Sequence, residues 1–298
     1  MPVLLAVAAA LIAIIAGAWL YFGGRTMPIF IAAAAATLAG TPANIDKVIH
    51  DAPAGSTIVL APGEYGKIRI RGKEWAKPVT LEMKDGARAT LEVVGSKGIR
   101  VKGGTFGSID KGYAIHVRQS QDVGFYGVKV ADAPRGMVIA QSQHVTVTKA
   151  DIVNMKIDGI NIGSSQHVTV TDSTCRDFDT GEMHPDCIQL WSSPKRGVTQ
   201  DVTLLRNRSD GNMQGFTAFN HVRNGVNDGG FDRVTMRDNW VRAYRVNGVA
   251  VYDCRDCNIS NNTAVTPKDA ERHVVVRVFR CTDCTVENNV DGERPKRK

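Results

Sequence analysis

No heptad and no long helical stripe runs through this chain, which excludes coiled coils and helical bundles. It carries no recognised nucleic-acid-binding motif either, although 37 Lys and Arg against 30 Asp and Glu leave a net charge of +7. A basic surface without such a motif points away from nucleic acid and toward other anionic partners: acidic polysaccharide, lipopolysaccharide or a membrane surface. No basic residue opens the apolar run from Val3 to Phe22, and its nearest charge, Arg25, follows it. That run is long enough to cross a bilayer, so residues 1–26 are expected to form a membrane anchor, with a cleaved signal segment as the alternative. The charge order mildly opposes the orientation that export requires.

What the sequence does contain is a repeated triplet. It reads Ile99-Arg100-Val101, Val123-Gly124-Phe125, Val145-Thr146-Val147, Val168-Thr169-Val170, Val202-Thr203-Leu204, Val234-Thr235-Met236, Cys257-Asn258-Ile259 and Cys284-Thr285-Val286. The intervals are 24, 22, 23, 34, 32, 23 and 27 residues, a unit of about 23 that sometimes carries an inserted loop. Each triplet alternates inward apolar, outward, inward apolar, the period of a strand. Five positions after the start of the last four triplets stands an asparagine: Asn207, Asn239, Asn262 and Asn289. A fixed offset of this kind predicts a stack of amides bonding from coil to coil. Parallel coils about 4.8 Å apart, each burying its apolar face against its neighbours, satisfy the period.

This pattern resembles the right-handed parallel β-helix of the pectate-lyase-like superfamily, over residues 27–298. The fold class expected is therefore all-β, a solenoid with a short N-terminal capping helix after the anchor or signal segment. That superfamily includes lyases, hydrolases, epimerases and phage tailspikes, so the resemblance implies a fold without fixing an activity. It also favours export, with the solenoid facing the periplasm or cell exterior, either anchored or secreted. Residues 27–56 read as the cap. Ile29, Phe30 and Ile31 supply a first strand. Thr41-Pro42 reads as helix N-cap and first-turn proline, with Ile45, Val48 and Ile49 on one face. Such a helix would block edge pairing at the open end.

A second strand in each coil aligns as polar, small, then apolar: Tyr113-Ala114-Ile115, Arg135-Gly136-Met137, Asp158-Gly159-Ile160, Asp186-Cys187-Ile188, Gln214-Gly215-Phe216, Asn247-Gly248-Val249 and His273-Val274-Val275. Two residues earlier stand Lys111, Lys156, His184, Asn212 and Arg245 in five of these coils, a polar stripe along one wall. Both long intervals fall around it, and loops raised beside a scaffold groove are where binding residues usually sit. The segment His184-Pro185-Asp186-Cys187-Ile188-Gln189-Leu190-Trp191 resembles the His-Pro-Asp-x-Ile-Gln coil of a group of bacterial β-helix proteins.

A lyase acting on a uronate must neutralise the sugar carboxylate, remove the adjacent proton and protonate the leaving oxygen. His184 is the expected base, with Lys156 and Arg245 on the carboxylate and Asn212, Gln214, Gln189, Asn247, Arg135 and Trp191 binding substrate. The same proton abstraction without elimination gives a C5-epimerase. Asp158 and Asp186, on stacked coils, provide the alternatives: the acid and base of a glycoside hydrolase, or a calcium site against a uronate. Asp158 also reads as a purely structural turn residue. Paired-aspartate and His-Gly motifs of polygalacturonases are absent as a set, as is the Asp-Pro-His motif of alginate epimerases. A non-enzymatic, tailspike-like binding protein uses the same groove. Trp191, Phe219, Tyr244 and Tyr252 become sugar platforms if they face outward and core if they do not.

Cys254-x-x-Cys257 and Cys281-x-x-Cys284 have zinc-ligand spacing. Because Cys257 and Cys284 replace the inward valine of neighbouring triplets, stacked core cysteine is the first expectation and disulfides between coils the second, zinc the last. Cys175 and Cys187 stand apart.

Overall fold

The computed structural model describes residues 19–22, 25–28, 35–107, 112–179, 181 and 183–292. The chain divides into two units, residues 1–34 and 35–298. In the first, strands Trp19–Phe22 and Arg25–Pro28 pair antiparallel. Most of the apolar run, and the strand expected at Ile29, Phe30 and Ile31, lie outside the described residues. Among the described residues no helix is long and apolar enough to cross a membrane.

The second unit is a parallel β-helix of three sheets. The triplets stack in register on one sheet: Ile99 against Val123, Val123 against Val145, Val145 against Val168 and Val168 against Val202, with Thr203, Thr235, Asn258 and Thr285 continuing the row. Flanking apolar residues point inward and are buried from Ile99 to Ile259. This sheet starts earlier than the triplets, at Thr37–Gly40 and Thr57–Leu60. The second-strand sheet runs from Gly63–Arg71 through Tyr113–Arg118, Arg135–Ala140, Ile160–Gly163, Asp186–Trp191, Gln214–Ala218 and Asn247–Tyr252 to Val275–Phe279. A third sheet of short strands, such as Thr174–Arg176 and Arg208–Gly211, closes each coil.

The asparagine stack forms as expected. Asn207 donates its backbone N–H and Nδ2 to Asn239 Oδ1 at 2.9 and 3.2 Å; Asn239 does the same to Asn262, and Asn262 to Asn289. The residue before each one, Arg206, Asp238, Asn261 and Asn288, has φ of 53–56°, a left-handed bend that turns the strand a corner. A serine stack that sequence reading missed does the equivalent job before the triplets: Ser120, Ser142 and Ser165 hydroxyls accept the backbone N–H of Ser96, Ser120 and Ser142.

The cap helix spans Ile45–Asp51 and buries Ile45 and Ile49, with Val48 packed beside them. Its N-cap is Asn44 rather than Thr41, because the Asn44 side chain turns back to accept the Thr41 N–H at 2.7 Å. The second-strand alignment holds up to Val249. Beyond it a bulge sets Val275 opposite Asn247 and Val276 opposite Val249, so His273 leaves the column. The small position has a steric reason: a Cβ at Gly136 or Gly215 would run into the carbonyl oxygen of Gly159 or Gly248 on the next coil.

The cysteines correct the expectation. Neither an open core ladder nor inter-coil bridges form; each Cys-x-x-Cys pair closes on itself, Cys254–Cys257 and Cys281–Cys284, with Cα separations of 6.1 and 5.8 Å. Cys175 and Cys187, read as separate, form a third bridge across one coil at 5.6 Å.

Candidate functional site

Along the second-strand sheet, outward residues fall into columns because parallel strands in register bring equivalent positions together. The first column begins each strand: Asp186 lies opposite Gln214, and the Asp186 N–H donates to Asp158 Oδ1 at 2.8 Å. Each carboxylate is gripped by an amide three residues further along its own strand, Asp158 by Asn161 Nδ2 at 2.9 Å and Asp186 by Gln189 Nε2 at 2.8 Å. Gln214 and Asn247 bond to each other. Asn161, Gln189 and Thr217 face one another as the second column. Asn161 and Thr217 were not among the expected binding residues.

Asp186 departs from the expectation of an open groove carboxylate, being only 1% exposed. Burial drives its pKa well above the ordinary carboxylate value, and the neighbouring Asp158 charge adds to that; the Thr217 hydroxyl and the Gln189 amide oppose it. Asp186 therefore holds its proton more tightly than an ordinary carboxylic acid. Both carboxyls already accept from an amide, and Asp158 from an N–H as well, which leaves few oxygens for calcium, an ion that takes six to eight. Among the described residues no three His, Cys, Asp or Glu side chains gather as metal ligands. Asn247 Oδ1 and Arg245 Nε are buried with no hydrogen-bond partner.

The loop before Asp186 is tied to a later coil. Arg245 reaches across from a later coil and donates Nη2 to the Met183 carbonyl at 3.1 Å, bringing it beside His184. His184 and Lys156 are both exposed at the start of their strands, as is Asn212. Arg135 lies over the Tyr113 ring at 5.6 Å. Lys111 lies outside the described residues. The later insertion folds as a hairpin, Val222–Arg223 against Val226–Asn227, tied down by Asn220, whose Nδ2 donates to Asn227 and Asp253.

The third column is aromatic. Trp191 is half-buried with its ring against Gly163, where a Cβ would collide with it. Phe219, Tyr252 and Phe279 continue the row on the next three coils, ring centroids 5.1 Å apart at each step, and Phe279 is 47% exposed. Three of these rings, Trp191, Phe219 and Tyr252, were offered as platforms and do reach the outer face; Phe279 was missed. Tyr244 is exposed and donates its hydroxyl to Asp269.

At the N-terminal end of the same wall opens a cleft of about 700 Å3. Its floor is the row Arg69, Glu92, His116, neighbours on successive strands, and Tyr113 and Arg88 form its sides. None was among the expected site residues.

Solved structures share this architecture. PfbA, a surface adhesin of Streptococcus pneumoniae, superposes with a TM-score of 0.61 at 16% identity, covering 83% of this chain and 74% of the adhesin. The Yersinia enterocolitica family 28 exopolygalacturonase superposes with a TM-score of 0.52 at 12% identity, covering 90% and 80%. At such identities the likeness is one of fold. Comparison with curated proteins returns no match. The model of the right-handed β-helix region matches residues 113–291, and the chain belongs to that family.

Proposed function

We propose that this protein binds an acidic, uronate-containing polysaccharide along the second-strand wall, outside the cytoplasm, and acts on it as a lyase or C5-epimerase. The observation that carries the reading is the pairing of columns. Aromatic rings stand once per strand at Trp191, Phe219, Tyr252 and Phe279, and beside their start the half-buried amides Asn161 and Gln189 line the neighbouring column. Flat rings take the apolar faces of sugars while the polar row takes hydroxyls, and a repeat at strand spacing suits a polymer rather than a small molecule. Arg135, Lys156 and Arg245 supply cationic groups along the rim, with His184 among them. Three disulfides persist best in an oxidising compartment, which supports an extracytoplasmic site. Membrane attachment through residues 1–26 is part of the same proposal and rests on the apolar run.

A second reading has its own support. Asp186, its pKa raised by burial, stands next to Asp158, and a carboxyl with a raised pKa beside a second carboxyl is the pairing a glycoside hydrolase uses for acid and nucleophile or base. The 1% exposure of Asp186 weighs against it, since its carboxyl is not open to a glycosidic oxygen. PfbA is an adhesin, and binding alone is the third outcome. The test is incubation of the protein with a panel of uronate and neutral polymers, following unsaturated ends by absorbance, reducing ends by colorimetry and C5 configuration by NMR. Unsaturated ends or inverted C5 centres on a uronate support the first reading. Reducing ends alone favour the second, and binding without product leaves adhesion. No binding to any uronate polymer sinks the proposal.

A further inference from the structure

The N-terminal cleft gathers the three groups that β-elimination needs, at a place the central stripe does not reach. His116 sits on the cleft floor, half-buried, with its ring centroid 5.5 Å from that of Tyr113. Arg69, two strands away in the same column, is exposed and makes no ion pair among the described residues. Other cationic groups here are engaged: Lys67 lies 3.9 Å from Glu92, whose carboxylate also takes Arg71, and Arg88 lies 3.3 Å from Glu64. Arg69 is thus the cation available to a sugar carboxylate.

We propose that this cleft is the reaction centre, with Arg69 neutralising a uronate carboxylate, His116 acting as base and Tyr113 as acid. The inference rests on the acidic-polysaccharide reading and deepens it by naming the residues. The step balances without a co-reactant. The His116 imidazole takes the C5 proton, the C5–H electrons form the C4–C5 double bond, and the C4–O bond breaks. The departing glycosidic oxygen takes the Tyr113 hydroxyl proton and becomes a new reducing end. His116 then returns its proton to the tyrosinate directly or through solvent. Burial keeps the imidazole below its ordinary pKa, with Arg118 and Lys67 adding to that and the Glu92 carboxylate opposing it, so the base is neutral and ready at pH 7. In the same lining Lys67 and Arg88 stand within 4 Å of Glu92, Glu64 and Asp132, so Arg69 is the lining cation not already beside a carboxylate.

The test uses the full chain on whichever uronate polymer the panel shows to bind. H116A, H116Q, Y113F and H144A, the last an exposed histidine on the triplet sheet, are compared by calorimetric binding and by the rate of unsaturated-end formation, with circular dichroism confirming the fold. H116A, H116Q and Y113F are expected to bind within about twofold of wild type and to lose about 10²–10⁴-fold in rate, while H144A retains its rate. Retention of rate in both His116 variants, or an equal loss in H144A, overturns the assignment and leaves the acidic-polysaccharide reading standing. Wild-type binding without unsaturated ends also overturns it. Failure of the wild type to bind any uronate polymer removes the underlying reading instead.

Discussion

The backbone N–H of Asp186 donates to the carboxyl of Asp158 on the preceding coil at 2.8 Å, while the Asp186 side chain is itself buried, its pKa pushed well above the ordinary carboxylate value. One aspartate thus serves as acceptor for the strand that carries the other. The consequence is a pH signature. In the unfolded chain Asp186 loses its proton near pH 4, whereas in the fold it keeps it to higher pH, so folding takes up a proton across that window. Its contribution to stability is complete below about pH 4 and is lost as pH rises through the folded-state pKa. Thermal melts of wild type and D186N from pH 4 to 8 should show a shallower decline for the amide variant. Parallel profiles would contradict the assignment.

The amide stack makes a graded prediction. Asn239→Ala leaves the Asn207 N–H and the Leu204 carbonyl without their partners in a buried turn. Each orphaned group costs about 1–3 kcal/mol, so a total of about 3 kcal/mol is expected, a fall in Tm of about 5–10 °C. Asn289→Ala, at the half-exposed end of the stack, should cost less than half as much. Urea unfolding of the two variants checks the gradient.

Cys175–Cys187 brackets the loop that carries Met183 and His184. Peptide mapping without reduction should recover Cys175–Cys187, Cys254–Cys257 and Cys281–Cys284 as the three bridged pairs. The double variant C175S/C187S should lose about 2–3 kcal/mol of stability and show faster amide exchange in residues 177–185. Exchange unchanged there would mean that Arg245, not the bridge, holds the loop.

Gly215 tests the register of the second-strand wall. A Cβ there meets the Gly248 carbonyl and the Val241 side chain, so G215A should cost about 1–3 kcal/mol. The neighbouring T217A removes the hydroxyl that opposes the raised Asp186 pKa and should cost less than G215A in a denaturant titration.

These relationships differ in how far the chain betrays them. The triplets and the asparagine offset were legible because inward residues repeat with period two and a turn amide recurs at one spacing. The second strand was legible through its glycines, which mark where a Cβ has no room. Asp186 was placed correctly in its column but read as open, because nothing local says that the loop before it folds back under Arg245. His116, Asn161 and Thr217 went unread since alignment followed the polar residue that starts each strand, and these stand three positions later. Insertions of unequal length hid the aromatic row: Phe219, Tyr252 and Phe279 become neighbours only once the hairpin at 222–227 is looped out. Cys175 and Cys187, twelve residues apart on different strands, carry no motif at all.

Binding measured against charge is the most direct test of the wall's proposed ligand. Affinity electrophoresis through gels containing a polyuronate, or the same polymer with its carboxyls reduced to alcohols, should retard the wild-type protein only in the charged gel. The variant W191A/F279A, which shortens the aromatic row, should lose most of that retardation while keeping its fold. Equal mobility in both gels, or retardation that survives W191A/F279A unchanged, would contradict an acidic polysaccharide lying along this wall.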